Sequence, residues 1–179
     1  EYIQQALDAG IVCVECDNSS GVEGTYNVTV DSYNAARAAG EWMGAAVGGE
    51  GVVVMINGDQ QHINAQDRRN GFLDVIEEKY PDVEIFEIAA NWLDENALNG
   101  MEDALTRYNN DIAGVYTAWD GATLAAISVL ENFGLETQVQ VCGYDGTANA
   151  LKIMRDKENV LNAEVGQPLY QLGEMGVET

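Results

Sequence analysis

Basic residues are scarce in this chain: 8 lysines and arginines stand against 30 aspartates and glutamates, which gives a formal net charge of −22. A field of that sign repels phosphate backbones, so nucleic acid is not expected as a direct partner. No apolar run approaches the roughly 18 residues that suggest a membrane span. No signal peptide is visible, but the chain opens and closes within helical patterns, so we expect it to be a segment of a longer protein.

Signatures of catalysis are also few. The chain has 1 histidine, His62, which excludes a site built from several histidines. It lies in a polar stretch, where a solvated or loop-capping role is favoured over catalysis. No serine stands in a Gly-x-Ser-x-Gly elbow, no Walker lysine motif exists, and the glycine-rich segment 48–51 precedes its strand where a dinucleotide-binding turn must follow one. We therefore predict no enzyme, no metal site and no cofactor.

The 3 cysteines do not form an evident framework. Cys13 and Cys16 stand three apart in a β-branched stretch, so in a strand they point to opposite faces and cannot bridge each other. A zinc or redox Cys-x-x-Cys motif needs a turn or a helix start. We favour the alternative, in which these two residues and Cys142 are small, buried apolar side chains.

What the chain does contain is a regular alternation of short apolar strands with helical patterns of roughly 10 to 15 residues. This alternation predicts right-handed βαβ units and a parallel sheet of five or six strands covered on both faces, which is a doubly wound α/β fold. Strands are predicted at 12–16, 51–56, 83–88, 112–117, 139–143 and 160–165, and helices at 31–48, 65–80, 94–108, 122–133 and 148–156.

Polar and aromatic residues follow the strands at the point where each strand ends. In the clearest case, the strand at 139–143 leads directly into Tyr144, Asp145 and a glycine. Ligands of open α/β sheets bind beyond the carboxyl ends of the strands, so we expect these residues to line one shared crevice. The same pattern occurs at Asp17-Asn18, Asn57-Gly58-Asp59, Asn91-Trp92 and Trp119-Asp120.

These strand ends, with two glutamines near them, supply what a neutral polyol needs. Carboxylates accept hydroxyl protons, side-chain amides both donate and accept, and flat aromatic faces suit the C–H faces of a sugar ring. The predicted ligand-binding residues are Asp17, Asn18, Gln66, Trp92, Trp119, Tyr144, Asp145 and Gln167.

Several of these residues have a structural alternative. Because Trp92 and Trp119 lie in polar loops, ligand contact is favoured over core packing for both, whereas the two roles are evenly balanced for Tyr144. Helix capping explains Asp31 and Asp120 at least as well as ligand contact does, and it is the alternative to the favoured ligand contact of Asp145.

Five segments, in one order and spacing, resemble the ribose-type periplasmic sugar-binding proteins, the solute-binding components of bacterial ABC importers. The most specific is Val141-Cys142-Gly143-Tyr144-Asp145-Gly146-Thr147. The resemblance implies a periplasmic binding protein-like type I fold, with two α/β lobes joined by three crossovers. It also implies that seven of the residues named above bind the sugar and that the eighth, Tyr144, stands at an aromatic position lining the cleft. The other segments are 11–17, 31–40, 68–72 and 115–120.

This sequence departs from the ribose pattern at three positions. Asn18 and Gln66 stand where the ribose binders have arginines, and Trp119 stands where they have an asparagine. These changes remove charged donors and fill volume, so ribose itself is disfavoured. A different monosaccharide, a polyol or another small polar metabolite fits better.

The resemblance also implies the organisation of the whole protein. Residues 1–30 are expected to end an N-terminal lobe, 31–167 to form the C-terminal lobe, and 168–179 to begin the return to the first lobe. A small sugar-like ligand would bind between the lobes, and membrane permease subunits would recognise the closed form. The implied location is periplasmic, or at the cell surface as a lipoprotein, and the complete protein is expected to be a monomer.

The effector-binding domain of a LacI-like transcriptional repressor shares this fold and is the alternative. It requires a basic helix-turn-helix upstream. The net charge of −22 and the Gly-Tyr-Asp-Gly-Thr form favour the transport protein, whereas free cysteines favour the reducing cytoplasm of a repressor.

Overall fold

A computed structural model describes residues 1–178 as two parallel sheets with helices packed around them. The larger sheet has five strands in the order β4-β3-β5-β6-β7, and β1 and β2 form a separate pair. The strands are β1 Val14–Cys16, β2 Tyr26–Val28, β3 Glu50–Asn57, β4 Asp82–Ala89, β5 Gly114–Thr117, β6 Gln140–Asp145 and β7 Ala163–Gly166. The helices are α1 Tyr2–Asp8, α2 Ser32–Ala46, α3 Ile63–Lys79, α4 Asp94–Arg107, α5 Asp120–Phe133, α6 Ala148–Asp156 and α7 Leu169–Glu178.

The five-stranded sheet confirms the predicted doubly wound architecture, because every strand pair in it is parallel and both faces are covered. The strand β3 shows why its sequence is continuously apolar. Val53 and Met55 face the core beneath α2 and α3, whereas Val54 and Ile56 face the core beneath α4 and α5. A strand buried on both faces has no position left for a solvent-facing polar residue.

The helices α2 and α3 cross closely, and this contact places the start of α3 against the sheet. A Cβ atom at Gly71 would collide with the backbone carbonyl of Tyr33, so glycine is required at the crossing. On the inner face, Phe72 stacks on Tyr116 with ring centroids 4.1 Å apart. The Tyr116 hydroxyl donates to the Arg68 carbonyl at 3.2 Å, which ties the first turns of α3 to β5.

The strand β7 begins later than predicted. Val160 and Leu161 are buried in the core beneath α4 and α5, but they lie in a loop. The side chain of Asn162 then accepts a hydrogen bond from the Val141 N–H at 2.8 Å. A side-chain oxygen therefore occupies a position that a strand carbonyl would otherwise fill, and regular pairing starts at Ala163.

The expectation of three buried cysteines is correct only for Cys142, which is 1% exposed. Cys13 is partly exposed, and Cys16 is exposed with its thiol near the Leu172 carbonyl. The reason is that β1 belongs to the small two-stranded sheet, on which α7 packs, and not to the doubly covered large sheet. Burial raises the pKa of the Cys142 thiol, so this residue is an inert core side chain.

None of the helices within residues 1–178 has both the length and the apolar character that a membrane span requires.

Candidate ligand-binding site

A cavity of about 450 Å³ opens at the carboxyl edge of the strands, between the large sheet and the β1–β2 pair. It brings together six of the eight predicted binding residues, from both sheets, which agrees with the expectation of one shared crevice. The lining residues are Asp17, Asn18, His62, Asn64, Arg68, Trp92, Trp119, Asp145, Thr147, Gln167 and Leu169.

Asp145 accepts three hydrogen bonds at this cavity. Its Oδ1 atom accepts hydrogen bonds from Gln167 Nε2 at 2.6 Å and from Arg68 at 3.3 Å. Its Oδ2 atom faces the backbone N–H of Asp120 at 3.4 Å, at the start of α5. Burial raises the pKa of Asp145, and the charge of Arg68 together with these hydrogen bonds opposes that rise.

The capping alternative for Asp145 is not what the structure shows. The N-cap of α6 is Thr147, whose hydroxyl accepts from the Ala150 N–H at 3.4 Å. Of the other two aspartates, Asp31 does cap α2, accepting from the Asn34 N–H at 3.0 Å. Asp120 lies in the first turn of α5, but its carboxylate accepts from the Thr147 N–H at 2.6 Å.

Sequence reasoning missed Arg68 as a member of the site. This residue is 2% exposed, and its guanidinium donates to the Ala118 carbonyl at 2.7 Å. The same group lies over the ring of Tyr144, 4.0 Å from the centroid. Tyr144 is fully buried and does not line the cavity, so it acts as a platform beneath Arg68. Helical spacing carried the missed signal, because Arg68 shares the inward face of α3 with Phe72.

Gln66 is exposed on α3 and lies outside the cavity lining. Its side-chain amide donates to the Gln60 carbonyl at 2.8 Å. Asn64, one half-turn earlier on the same helix, lines the cavity instead. The predicted roles of Gln66 and Tyr144 in ligand contact therefore stay predictions, without direct support from the cavity geometry.

Trp92 and Trp119 form an aromatic wall on one side of the cavity. The two rings meet edge to face, with centroids 5.3 Å apart and an interplanar angle of 74°. Trp92 Nε1 donates to His62 Nδ1 at 2.9 Å, and Trp119 Nε1 donates to Asp94 Oδ1 at 3.0 Å. Both indole N–H groups have partners, which fixes the orientation of the rings, and each ring stays partly exposed.

Three oxygen acceptors at the cavity are buried and have no hydrogen-bond partner among residues 1–178. They are Asp17 Oδ1, Asn64 Oδ1 and Gln167 Oε1. Leaving a buried acceptor unsatisfied costs about 1 to 3 kcal/mol. Hydroxyl groups are O–H donors of the kind that these acceptors lack.

The described residues 1–178 contain no group of three or more histidine, cysteine, aspartate or glutamate side chains suited to holding a metal ion.

The chain matches the periplasmic binding protein domain family over residues 1–179. It belongs to that family. Among curated members, the D-ribose/D-allose-binding protein of Pseudomonas aeruginosa is 27% identical over 169 residues, covering 90% of this chain and 52% of the relative. The D-apiose import binding protein of Paraburkholderia graminis is 30% identical over 171 residues, covering 93% of this chain and 53% of the relative.

Solved structures of periplasmic binding proteins show the same fold. An ABC transporter solute-binding protein from Actinobacillus succinogenes with bound D-allose superposes with a TM-score of 0.88 and 28% identity, over 98% of this chain and 64% of that one. A solute-binding protein from Agrobacterium vitis with bound D-fucose superposes with a TM-score of 0.89 and 25% identity, over 98% of this chain and 61% of that one. The chain spans about half the length of the curated relatives it matches.

Proposed function

We propose that the complete protein is the solute-binding component of an ABC importer and binds a sugar or a similar neutral, polyhydroxylated solute between two lobes. The observation that carries this proposal is the cavity itself, in which unpartnered oxygen acceptors lie together with the aromatic wall of Trp92 and Trp119. Hydroxyl groups and C–H faces are what a monosaccharide or a polyol presents to such a surface. The relatives from P. aeruginosa and P. graminis are named for binding D-ribose, D-allose and D-apiose.

The charge of the cavity favours a neutral solute over an acidic one. Arg68 is the single lysine or arginine among the lining residues, and it is already paired with Asp145. Asp17 adds a second carboxylate, and its Oδ1 atom has no partner among residues 1–178. A carboxylate or phosphate on the ligand would therefore meet a net negative surface without a free cation to neutralise it.

The proposed lobe organisation keeps residues 1–30 as the end of the N-terminal lobe, 31–167 as the C-terminal lobe and 168–179 as the start of the return. Apolar exposure supports this division. The elements α1 and α7 and the segment before β1 expose Tyr2, Val12, Tyr170 and Val177, which are 83%, 70%, 78% and 89% accessible. Further parts of an N-terminal lobe would cover these side chains. Thr179 lies outside the described residues.

The partners and location follow from the same proposal. An importer component would meet membrane permease subunits, act outside the cytoplasm in the periplasm or at the cell surface, and work as a monomer without nucleic acid. The import-related names of the curated relatives favour this role over the effector domain of a LacI-like repressor. They also favour binding without chemical conversion, since these proteins are named for binding sugars.

Isothermal titration calorimetry on the complete protein tests the proposal. The panel contains neutral aldoses, ketoses and polyols, each paired where possible with the sugar acid of the same stereochemistry. We expect saturable binding of at least one neutral compound, weaker binding of its acid counterpart, and unchanged solute recovered after incubation. Turnover of a solute, preference for the acid forms or tight binding to nucleotides alone would contradict the proposal.

A further inference from the structure

Two acidic side chains lie side by side behind the cavity, outside its lining. Asp120 begins α5 and is 3% exposed, and Glu164 lies on β7. Their charges interact, and they accept hydrogen bonds from the N–H groups of two consecutive residues, Gly146 and Thr147. Asp120 Oδ1 and Glu164 Oε2 are both buried, and neither has a hydrogen-bond partner among residues 1–178. A Cβ atom at Gly143 would collide with Glu164 Oε2, so the neighbouring strand leaves that oxygen little room to move.

The remaining oxygen of each acid holds the turn that follows Asp145. The Gly146 N–H donates to Glu164 Oε1 at 3.0 Å, and the Thr147 N–H donates to Asp120 Oδ2 at 2.6 Å. The backbone of Asp145 is itself in an unfavourable region, with φ at +117°. A non-glycine residue keeps such a conformation only when its surroundings enforce it, and these two hydrogen bonds act directly after it.

Two neighbouring carboxylates with restricted access to water repel each other strongly when both are charged. Burial, together with the charge of Asp120, raises the pKa of Glu164 to about 8. The acidic groups that face Glu164 are Asp120 on α5 and Asp145 on β6, and the Cys142 thiol lies nearby on β6. The helix α2 also packs against β7, but its charged residues pair with α3, in the ion pairs Arg37–Glu78 and Glu41–Lys79.

We propose that Asp120 and Glu164 share one proton, and that this proton holds the N–H groups of Gly146 and Thr147 in place and thereby positions Asp145 for its solute. Asp120 and Glu164 are thus positioning residues, which act through the turn without touching the ligand. Loss of the proton would set two negative charges against each other directly behind Asp145 and loosen the turn. The part of the proposal that concerns the solute rests on the proposed function.

The first test needs no ligand. The amide NMR signals of Gly146 and Thr147 are followed from about pH 6 to about pH 9.5 in the complete protein, a range that brackets the raised pKa of Glu164. We expect both signals to titrate with a midpoint near 8 in the wild type. The titration should be absent in Glu164→Gln, because an amide can accept from Gly146 and donate to Asp120 at every pH. Asp120→Asn should abolish it as well, since the amide would donate to an ionised Glu164.

A matched control is Glu158→Gln, which replaces an exposed acid. In this variant the amide signals of Gly146 and Thr147 should change with pH as they do in the wild type. If the wild-type amide signals do not change with pH, or if their midpoint is the same in Glu164→Gln and Asp120→Asn as in the wild type, the shared proton is refuted whatever the protein binds.

The second test measures affinity for a neutral sugar found by calorimetry. Wild-type affinity should fall by up to about tenfold per pH unit above the transition, and Glu164→Gln should hold its neutral-pH affinity. If the amides titrate as expected but no sugar binds at neutral pH, the proposed function fails while the shared proton stands. If sugar binds with equal pH dependence in wild type and Glu164→Gln, the positioning role is refuted.

Discussion

Replacing Asp145 with asparagine probes a carboxylate that accepts three hydrogen bonds at the cavity. The substitution keeps the shape of the side chain but removes its charge and turns one acceptor oxygen into a donor. In the wild type, Asp145 Oδ1 already accepts hydrogen bonds from Gln167 at 2.6 Å and from Arg68 at 3.3 Å. The Asp145 side chain keeps 22% of its surface accessible. A ligand hydroxyl that reaches this carboxylate would form a charge-assisted hydrogen bond, which contributes about 1.5 to 3 kcal/mol. We therefore expect Asp145→Asn to weaken solute binding about ten- to hundredfold.

The structure adds a second consequence for the stability of the ligand-free protein. Asp145 is the counter-ion of the buried Arg68, so Asp145→Asn leaves that charge without a neutralising carboxylate, among neutral partners such as the Ala118 carbonyl and the rings of Tyr144 and Trp92. We expect a loss of about 1 to 3 kcal/mol in the free energy of unfolding.

Two assays separate these effects. Calorimetry with the best neutral solute gives the affinity, and denaturant unfolding without ligand gives the stability. Asp31→Ala is the control, because it removes the observed cap of α2 at a cost of about 1 kcal/mol, lies outside the cavity lining and leaves Asp145 in place. If Asp145→Asn lowers stability yet binds the solute as tightly as the wild type, Asp145 is a structural counter-ion only and the reasoning is refuted.

Three further predictions concern single side chains. Asp17→Asn should weaken solute binding by about tenfold with little change in unfolding free energy, because Asp17 Oδ1 has no protein partner to lose; equal losses in calorimetry and in denaturant unfolding would count against this. His62→Phe should weaken binding several-fold by calorimetry, since Trp92 Nε1 loses its acceptor, whereas His62→Asn, which retains an acceptor, should bind more tightly than His62→Phe. The pKa of Glu164 rises from an ordinary value of 4.5 to about 8 on folding, so its stabilising effect is complete below the ordinary value and is lost as pH rises towards 8. The wild type should therefore melt at a lower temperature than Glu164→Gln near pH 9 and at a similar temperature near pH 4.5, and a difference independent of pH would disprove this.

Strand ends were the part of the site that could be predicted from the sequence. Carboxyl ends of parallel strands meet at one edge of a sheet, so Trp92, Trp119 and Asp145, which follow strands of the large sheet, could be expected in one cavity. Asp17 follows β1 of the small sheet, so this argument alone does not place it there. This part of the prediction needed only the order of the strands, which the apolar runs indicate.

Helix phase and depth of burial could not be predicted in the same way. Gln66 and Arg68 lie on the same helix, and which of them faces the cavity depends on how α3 packs against α2 at Gly71. Tyr144 is at a strand end, but the guanidinium of Arg68 covers its ring and removes it from the cavity. Cys16 is exposed because its strand belongs to the small sheet, and apolar periodicity does not tell which sheet a strand joins.

The tryptophan fluorescence of the aromatic wall should report whether a solute occupies the cavity. The chain has 3 tryptophans, and two of them, Trp92 and Trp119, line the cavity. The third, Trp42, lies on α2 and packs against the core on the opposite face of the sheet from α4 and α5. In a Trp42→Phe variant all tryptophan emission of this chain would therefore arise from the wall. A solute that covers the two indole faces would exclude water from them, so binding could be followed by intrinsic fluorescence without a dye or a label.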